Sequence, residues 1–281
     1  MTKNILVQPF LKWAGGKRQL LKEITKYTPQ KLTGTYYEPF LGGGAVLFYL
    51  QPKKAIVNDF NTELINAYEV VRENVDELIQ DLKTHKNTSD YFYSIRSLDR
   101  SPDYKNLSKI QRASRLIYLN KTCYNGLFRV NSNNEFNTPF GNYKNPNIVN
   151  EPVLRAVSNY LNSADITFLN GDFEVAVKGI RKGAFVYFDP PYMPISSSSS
   201  FTGYTLDGFN QADQKRLRDL CIRLKERGIK FLLSNSTAPY ILDLYNDEEH
   251  FIIEYVGAKR AINSVGKSRG EIKEVLVRSN D

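Results

Sequence analysis

The chain of 281 residues is long enough for one large domain or for a domain with an insertion, and its 41% hydrophobic and 12% aromatic residues argue against disorder. The excess of 38 Lys and Arg over 30 Asp and Glu favours a polyanionic partner such as nucleic acid, although composition alone does not establish one. With no signal peptide and no run of 18 apolar residues, we expect a cytoplasmic protein that does not enter a membrane. The isolated Cys123 and Cys221 and the two histidines lack the spacing of metal ligands, so no metal is expected.

From the amino terminus, segments rich in β-branched and aromatic residues alternate with apolar or amphipathic segments. The first predicted strand, 35–40, is followed by three glycines and by a helix that begins at Ala45. A short second strand ends at Asn58 and Asp59, and one long helix is predicted over 62–83. Further strands are predicted at 166–170, 184–188, 230–235, 251–256 and 271–277, with a helix at 211–227 and an antiparallel last pair.

Strands that alternate with helices predict an α/β protein with a mostly parallel, doubly wound sheet. The alternation stops at 69–155, where only helices and loops are predicted. These include a helix at 108–120, which begins with capping-box spacing, and an irregular loop or hairpin at 121–150 rich in Asn, Gly, Pro and Tyr. We therefore predict a discontinuous domain, 1–68 and 156–281, with an inserted, mainly helical domain at 69–155.

The first chemical motif is the glycine-rich turn 40–44 (FLGGG) between a strand and a helix. Glycines let the backbone approach a ligand closely, and the helix N-terminus adds free N–H groups. Asp59, at the end of the next strand, is placed to accept both hydroxyls of an adenosine ribose. An ordinary tight turn with a surface aspartate fits equally well, and so does a nicotinamide enzyme, although the G-x-G-x-x-G form is absent.

A second glycine motif, 12–17 (KWAGGK), does not bind a nucleoside triphosphate in the Walker manner. Leu11 stands where the first Walker glycine is required, and Arg18 stands where Ser or Thr is required. From spacing alone it is best interpreted as a turn before a helix.

The third motif, Asp189-Pro190-Pro191-Tyr192, follows the buried strand 184–188 directly, at the sheet edge where α/β proteins bind ligands. An exocyclic amine of a base is a poor nucleophile because its lone pair is delocalised into the ring. Acceptors for both of its N–H groups, the Asp189 carboxylate and the Pro190 carbonyl, favour a tetrahedral nitrogen and offset the developing positive charge. Tyr192 can stack on the base, and the prolines fix the backbone. Asp189, Pro190 and Tyr192 are the candidate catalytic residues.

With these motifs, the sequence resembles the Dam family of GATC-specific DNA adenine methyltransferases over nearly its whole length. The matches follow the family's order at 10–17 (FLKWAGGK), 40–44 (FLGGG), 120–144 (NKTCYNGLFRVNSNNEFNTPFGNYK), 189–192 (DPPY) and 201–204 (FTGY). The resemblance implies a Rossmann-like class I methyltransferase sheet of seven strands, the last antiparallel. It further implies S-adenosyl-L-methionine as the methyl donor, no metal, and double-stranded DNA containing GATC as the partner.

The resemblance also implies roles for individual residues. Cofactor contacts are expected from Trp13, Lys17, Phe40, Gly42, Gly44, Asp59, Asp172, Phe173 and Asp189. DNA contacts are expected from Lys12, Tyr124, Asn125, Leu127, Arg129, Pro139 and Tyr143. In the DNA set, Lys12 is expected to reach the first guanine and Arg129 the other guanine. Tyr124 and Asn125 are expected to enter the duplex beside the target adenine.

Charge supports DNA binding by the predicted insertion. Residues 86–129 contain nine Lys or Arg and three Asp, a net charge of +6. Phosphate contacts from this stretch would supply affinity, while Arg129 has the planar fork that matches guanine. For the helix at 108–120 taken alone, a solvated charged face is the better interpretation.

Several alternatives remain open from the sequence. The acceptor could instead be cytosine N4, RNA or a glutamine side chain, and a non-catalytic DNA-binding module with the same fold is the rival of another class. Cytosine C5 is disfavoured because its chemistry uses a thiol, usually after proline, and the cysteines here follow Thr122 and Leu220. We expect a monomer that flips the adenine out of the duplex and protects DNA in a restriction system. The serine run at 196–200 is either a flap over the flipped base or a passive linker.

Overall fold

The computed structural model describes residues 3–13, 15–195, 208–259 and 271–280. The serine run at 196–200 and the family match at 201–204 lie outside the described residues. In the part of the chain that is described, no helix is long and apolar enough to cross a membrane.

Seven strands form one sheet in the order β3-β2-β1-β4-β5-β7-β6 among the described residues. They are β1 (Tyr36–Glu38), β2 (Lys54–Asp59), β3 (Asp165–Asn170), β4 (Phe185–Phe188), β5 (Lys230–Ser236), β6 (Phe251–Lys259) and β7 (Glu271–Ser279). The pairs from β3 to β5 are parallel, while β7 runs antiparallel to both of its neighbours. The predicted α/β class, the seven-stranded Rossmann-like sheet and its antiparallel last strand are confirmed.

The helices of the described residues are α1 (Leu21–Lys26), α2 (Ala45–Leu50), α3 (Thr62–Glu73), α4 (Val75–Thr84), α5 (Ser89–Ser97), α6 (Lys109–Thr122), α7 (Glu151–Ser163), α8 (Phe173–Ala176), α9 (Gln211–Glu226) and α10 (Pro239–Leu244). Single 3₁₀ turns occur at Lys17–Gln19, Leu98–Arg100, Pro102–Asn106 and Tyr124–Gly126. The capping box predicted for α6 is present, with Ser108 and Gln111 bonded to each other's backbone.

Both faces of the sheet are covered, because neighbouring residues of a strand enter different apolar clusters. Tyr36 and Tyr187 pack with residues of α1 to α7, whereas Tyr37 and Val186 pack with residues of α8, α9 and α10. All four residues of β4 are buried. A strand buried on both faces needs a continuous apolar run, which is what the sequence of β4 provides.

The single long helix predicted over 62–83 is wrong. Asn74 has non-helical dihedrals, φ −135° and ψ 42°, and separates α3 from α4. Asparagine is a weak helix former, and the change of direction lets α4 pack on both α6 and α7.

Between α6 and α7 the chain forms an irregular hairpin, as predicted, with only isolated bridges Cys123–Phe140 and Val130–Phe136 among the described residues. The boundaries predicted for the inserted domain, at 68/69 and 155/156, lie inside α3 and α7. The division of the chain into 1–68 with 156–281, and 69–155, stays a prediction.

Candidate active site

The order of the strands reverses between β1 and β4, which is where a doubly wound sheet opens a crevice at its carboxyl edge. The glycine turn 40–44 follows β1 and Asp189 follows β4, so the two motifs meet at this point. Gly42 and Gly44 have φ of 49° and 66°, in the left-handed region that favours glycine. A Cβ added at Gly42 would lie only 2.9 Å from Trp13 Cδ1, which shows how closely Trp13 approaches the turn.

Asp59 ends β2 and is fixed by the backbone around it. Its Oδ2 accepts a hydrogen bond of 2.8 Å from the Gly42 N–H, and its Oδ1 accepts one of 2.9 Å from the Asn61 N–H. Burial raises the pKa of Asp59, and these backbone donors oppose that shift. A carboxylate has about four acceptor positions, so the oriented group retains acceptor capacity for a ligand hydroxyl.

Aromatic rings lie beside the glycine turn. Phe40 stacks on Phe173 with a centroid distance of 5.3 Å, and Phe209 meets both rings edge-on at 5.5 and 5.8 Å. Asp172 caps α8 by accepting from the Glu174 N–H, and it also pairs with Arg216 at 3.0 Å. Phe173, which is predicted to contact the cofactor, is thus adjacent to Phe40, and Asp172, predicted to do the same, directly precedes it in the chain.

Asp189 forms an ion pair with Lys17, with 2.8 Å between Oδ1 and Nζ. Lys17 is buried and also donates to the Gly15 carbonyl at 2.6 Å. Burial raises the pKa of Asp189 to about 6; Lys17 opposes that rise and Glu274 adds to it. The KWAGGK motif, which spacing alone predicts to be a simple turn, therefore delivers a buried cation to the carboxylate.

Two contacts hold the side chain of Tyr192 in place, one to its ring and one to its hydroxyl. Its ring lies 4.5 Å from Lys17 Nζ in a cation–π contact, and its hydroxyl donates to Glu274 Oε2 at 2.6 Å. Burial, with the nearby Asp189 and Glu274 charges, raises the pKa of Tyr192 well above its ordinary value, so the hydroxyl remains a donor.

A second carboxyl, that of Glu38 at the end of β1, is close enough to Asp189 to affect its electrostatics. Glu38 is fully buried, and its Oε2 accepts a hydrogen bond of 2.8 Å from the Tyr36 hydroxyl. Burial raises the pKa of Glu38 to about 8, with a further contribution from Asp189. The protonated, neutral form of Glu38 is therefore favoured at pH 7. This avoids a second negative charge beside Asp189.

Five of the residues predicted to contact DNA lie together at one end of the hairpin. The Lys12 Nζ is 5.1 Å from the centre of the Tyr143 ring, and the Tyr143 hydroxyl accepts from the Asn125 N–H at 3.0 Å. The Tyr124 N–H donates to the Pro139 carbonyl at 2.9 Å. Asn125 has φ of 55°, an uncommon value for a residue other than glycine and one often found at functional sites.

The backbone of Lys12 is bound on both sides by the side chain of Asn120. The Lys12 N–H donates to Asn120 Oδ1 at 2.8 Å, and Asn120 Nδ2 donates to the Lys12 carbonyl at 2.6 Å. Asn120 is fully buried and lies in α6, so the start of the chain is attached to the helix that leads into the hairpin.

The remaining two predicted DNA contacts, Leu127 and Arg129, lie in the first arm of the hairpin. The Leu127 carbonyl accepts from the Thr138 hydroxyl at 2.8 Å across the hairpin. Arg129 Nε donates to Asn137 Oδ1 at 2.8 Å, which orients the guanidinium.

Charged residues of the helical region fasten this hairpin. Phe136 donates its N–H to Asp99 at 2.7 Å and accepts from Arg100 at 3.0 Å. Asp99 forms a buried ion pair of 2.8 Å with Arg115. Arg112, which like Arg115 lies in α6, pairs with Glu63. The interpretation of this helix as a solvated charged face is therefore wrong for Arg112 and Arg115, which have protein partners.

Several site residues were missed by the sequence analysis. Glu274 and the buried Gln214 contact the Asp-Pro-Pro-Tyr segment and the buried Asn235 contacts Met193 directly after it, at sequence separations of 82, 23 and 42 residues. Each lies in a segment whose apolar pattern predicts only a strand or a helix, and no local motif distinguishes it. In the part of the chain that is described, no group of three or more His, Cys, Asp or Glu could hold a metal ion.

A switch point with a left-handed glycine turn on one side and Asp-Pro-Pro-Tyr on the other is the arrangement expected of a Rossmann-like methyltransferase. Residues 13–262 match the family described as D12 class N6 adenine-specific DNA methyltransferase. Type II methyltransferase M1.LlaDCHI of Lactococcus lactis subsp. cremoris is 46% identical over 280 residues, which cover 99% of this chain and 97% of that protein. Type II methyltransferase M.MjaIII of Methanocaldococcus jannaschii is 43% identical, with coverages of 96% and 98%. The DNA adenine methylase of Haemophilus influenzae is 36% identical, with coverages of 96% and 92%.

The chain belongs to the D12 class of N6 adenine-specific DNA methyltransferases. It is therefore an enzyme that methylates adenine in DNA, and the family and fold imply S-adenosyl-L-methionine as the methyl donor. Of the acceptors left open by the sequence, adenine is the one that this family uses, and a non-catalytic module is not supported.

Proposed function

We propose that the protein, acting as a monomer, methylates adenine N6 within double-stranded GATC and protects DNA in a restriction-modification system. The observation that carries the chemistry is the ion pair of Asp189 with the buried Lys17 at the switch point, next to the Tyr192 ring, which Lys17 and Glu274 hold in place. GATC itself is supported by the resemblance over 120–144 and by the grouping of Lys12, Tyr124, Asn125, Pro139 and Tyr143 at one end of the hairpin.

The residues at the glycine turn fit an adenosine-bearing methyl donor. The turn has no side chains at 42–44, the Asp59 carboxylate has unused acceptor positions, and Phe40 with Phe173 offers aromatic surface for a purine. When bound, S-adenosyl-L-methionine supplies an electrophilic methyl group on a sulfonium sulfur. Trp13, Lys17, Gly42, Gly44 and Asp172 are the other residues that we assign to its pocket.

The target adenine must leave the duplex, because its amine is paired inside the helix, and flipping costs a few kcal/mol. In our proposal Tyr124 and Asn125 enter the space beside the adenine, and Tyr192 stacks on the flipped base. The amine then donates its two N–H groups to the Asp189 carboxylate and the Pro190 carbonyl. Lys17 keeps Asp189 ionised at neutral pH by opposing the pKa rise caused by burial.

The specificity is tested by incubating the protein with a labelled methyl donor and duplexes that differ only within GATC. We expect label in the GATC duplex, and none in a duplex whose target adenines already carry an N6 methyl group. Equal rates on all single-base variants would contradict the proposed recognition site while leaving the adenine methyltransferase activity intact.

Arg129→Ala is expected to relax the preference at one base pair of the site. A bidentate contact to guanine is worth about 1–3 kcal/mol of discrimination. The methylation rate on one variant sequence should therefore rise, relative to the rate on GATC, by the factor that this free energy represents. The exposed Lys105 is the matched control. Loss of a phosphate contact weakens binding to all sequences alike and lowers the slope of log affinity against log salt concentration by about one. If Arg129→Ala lowers every rate in proportion, the residue positions the backbone and does not read the base.

Asp59→Ala is expected to weaken binding of S-adenosyl-L-methionine. Hydrogen bonds to a charged acceptor contribute about 1.5–3 kcal/mol, so the affinity should fall by about 10- to 150-fold. Calorimetry of the folded variant measures this directly, and an unchanged affinity would remove Asp59 from the ribose site.

A further inference from the structure

Three buried polar side chains bind the peptide groups on both sides of Tyr192. Gln214 Nε2 donates to the Pro191 carbonyl at 3.0 Å, and the Met193 N–H donates to Asn235 Oδ1 at 3.2 Å. The Ser236 hydroxyl donates to the Met193 carbonyl at 2.6 Å. Asn235 Nδ2 donates to Gln214 Oε1 at 3.0 Å, which joins the side chains into one polar network.

The polar network, Gln214–Asn235–Ser236, is buried in the protein. Apolar side chains would pack there at a lower cost in free energy of desolvation. Gln214 and Asn235 are 0% exposed and Ser236 is 5% exposed. Buried amides cost stability unless their donors and acceptors are bonded, and here both ends of each amide have partners. A satisfied buried network fixes one arrangement of the groups that it joins.

The two prolines explain why the segment requires donors from elsewhere. Pro190 and Pro191 have no N–H groups, so this part of the chain cannot fasten itself through backbone donors. Gln214 of α9 supplies a donor to the Pro191 carbonyl, and β5 supplies an acceptor and a donor for Met193. The peptide groups fixed in this way flank Tyr192, and the Pro191 peptide unit directly follows the Pro190 carbonyl.

We propose that Gln214, Asn235 and Ser236 are positioning residues for methyl transfer, which aim the Pro190 carbonyl and the Tyr192 ring at the target base. This inference rests on the proposed function, in which Asp189, Pro190 and Tyr192 act on the flipped adenine. Misplacement of reacting groups by about 1 Å costs up to 10²-fold in rate, so the network affects the chemical step rather than the binding of either substrate.

The test is the single-turnover rate of methyl transfer by Gln214→Leu, with both substrates saturating and the temperature well below the melting transition. We expect a rate about 10- to 100-fold lower, with unchanged dissociation constants for the GATC duplex and for S-adenosyl-L-methionine. Ser236→Ala, which removes only one hydroxyl, is the second variant and is expected to lower the rate in the same direction by a smaller factor.

Ser234→Ala is the matched control. Ser234 is fully buried in the same strand and its hydroxyl bonds the Tyr187 hydroxyl at 2.6 Å, but among the described residues that hydroxyl makes no hydrogen bond to the Asp-Pro-Pro-Tyr segment or to Met193. It should lower the melting temperature and leave the rate of the folded protein unchanged.

Three results would overturn the inference: a rate for Gln214→Leu within twofold of wild type, a weaker substrate affinity with an unchanged rate, or an equal loss in Ser234→Ala. If Gln214→Leu does not fold, the rate of Ser236→Ala decides, and a wild-type rate there also overturns it. Methylation by an Asp189→Ala variant would instead contradict the catalytic roles on which the inference rests, so the two failures are distinguishable.

Discussion

Replacing Asp189 with alanine is expected to reduce methyl transfer by at least about 10³-fold. The carboxylate is the only charged acceptor that we assign to the amine, and without it the developing positive charge is not offset. DNA affinity should persist because phosphate contacts elsewhere supply most of it. The measurement pairs a single-turnover methylation assay with a DNA-binding titration of the same preparation.

The companion variant Asp189→Asn preserves shape and removes only the charge, so it should also lose most of the activity. Both variants leave the buried Lys17 without its carboxylate partner, which lowers stability, and the melting temperature therefore has to be measured first. Substantial methylation by a well-folded Ala variant would remove Asp189 from the mechanism.

The kcat/KM for DNA is expected to fall about tenfold per pH unit below pH 6. Burial raises the pKa of Asp189 to about 6, so the carboxyl is protonated below that pH and ionised above it. A protonated carboxyl has lost an acceptor and its charge, and hence activity is present above the folded pKa and is lost as the pH falls through it.

Lys17 determines the pH at which the activity is lost on the acid side of the profile, the acid limb. Because the Lys17 cation lowers the pKa of Asp189 against the effect of burial, Lys17→Gln should move the limb to higher pH. The profile is measured with saturating methyl donor, so that a role of Lys17 in cofactor binding does not contribute. A profile that is flat between pH 5 and pH 8, or one that Lys17→Gln does not shift, would show that Asp189 ionisation does not limit the reaction.

The sheet could be predicted from sequence because its strands are short apolar runs separated by helical segments. β4 shows this most clearly, since every residue is apolar and every residue is buried. The break at Asn74 could not be predicted, because asparagine only mildly disfavours helix and the change of direction depends on how α4 packs against α6 and α7. Local pattern gives the elements, while tertiary packing decides where this helix ends.

Site residues could be predicted where a carboxylate stands at the end of a predicted strand or directly after it. Asp59 is the last residue of β2 and Asp189 directly follows β4, and the parallel strands of the sheet bring their carboxyl ends to one edge. Glu274 was not predictable, because it reaches Tyr192 only through the placement of the antiparallel β7 beside β5. The partners of Arg112 and Arg115 depend on helix packing in the same way, and a count of charges cannot reveal them.

The attachment of the Lys12 backbone to Asn120 has a thermodynamic consequence. Under the roles proposed above, Lys12 contacts DNA while Trp13 and Lys17, on the same short stretch of chain, contact the methyl donor. Because the stretch is held on α6, a shift that one ligand imposes on it also changes the groups offered to the other ligand. Linkage requires the effect to be reciprocal, so the methyl donor changes the affinity for DNA by the same factor by which DNA changes the affinity for the donor.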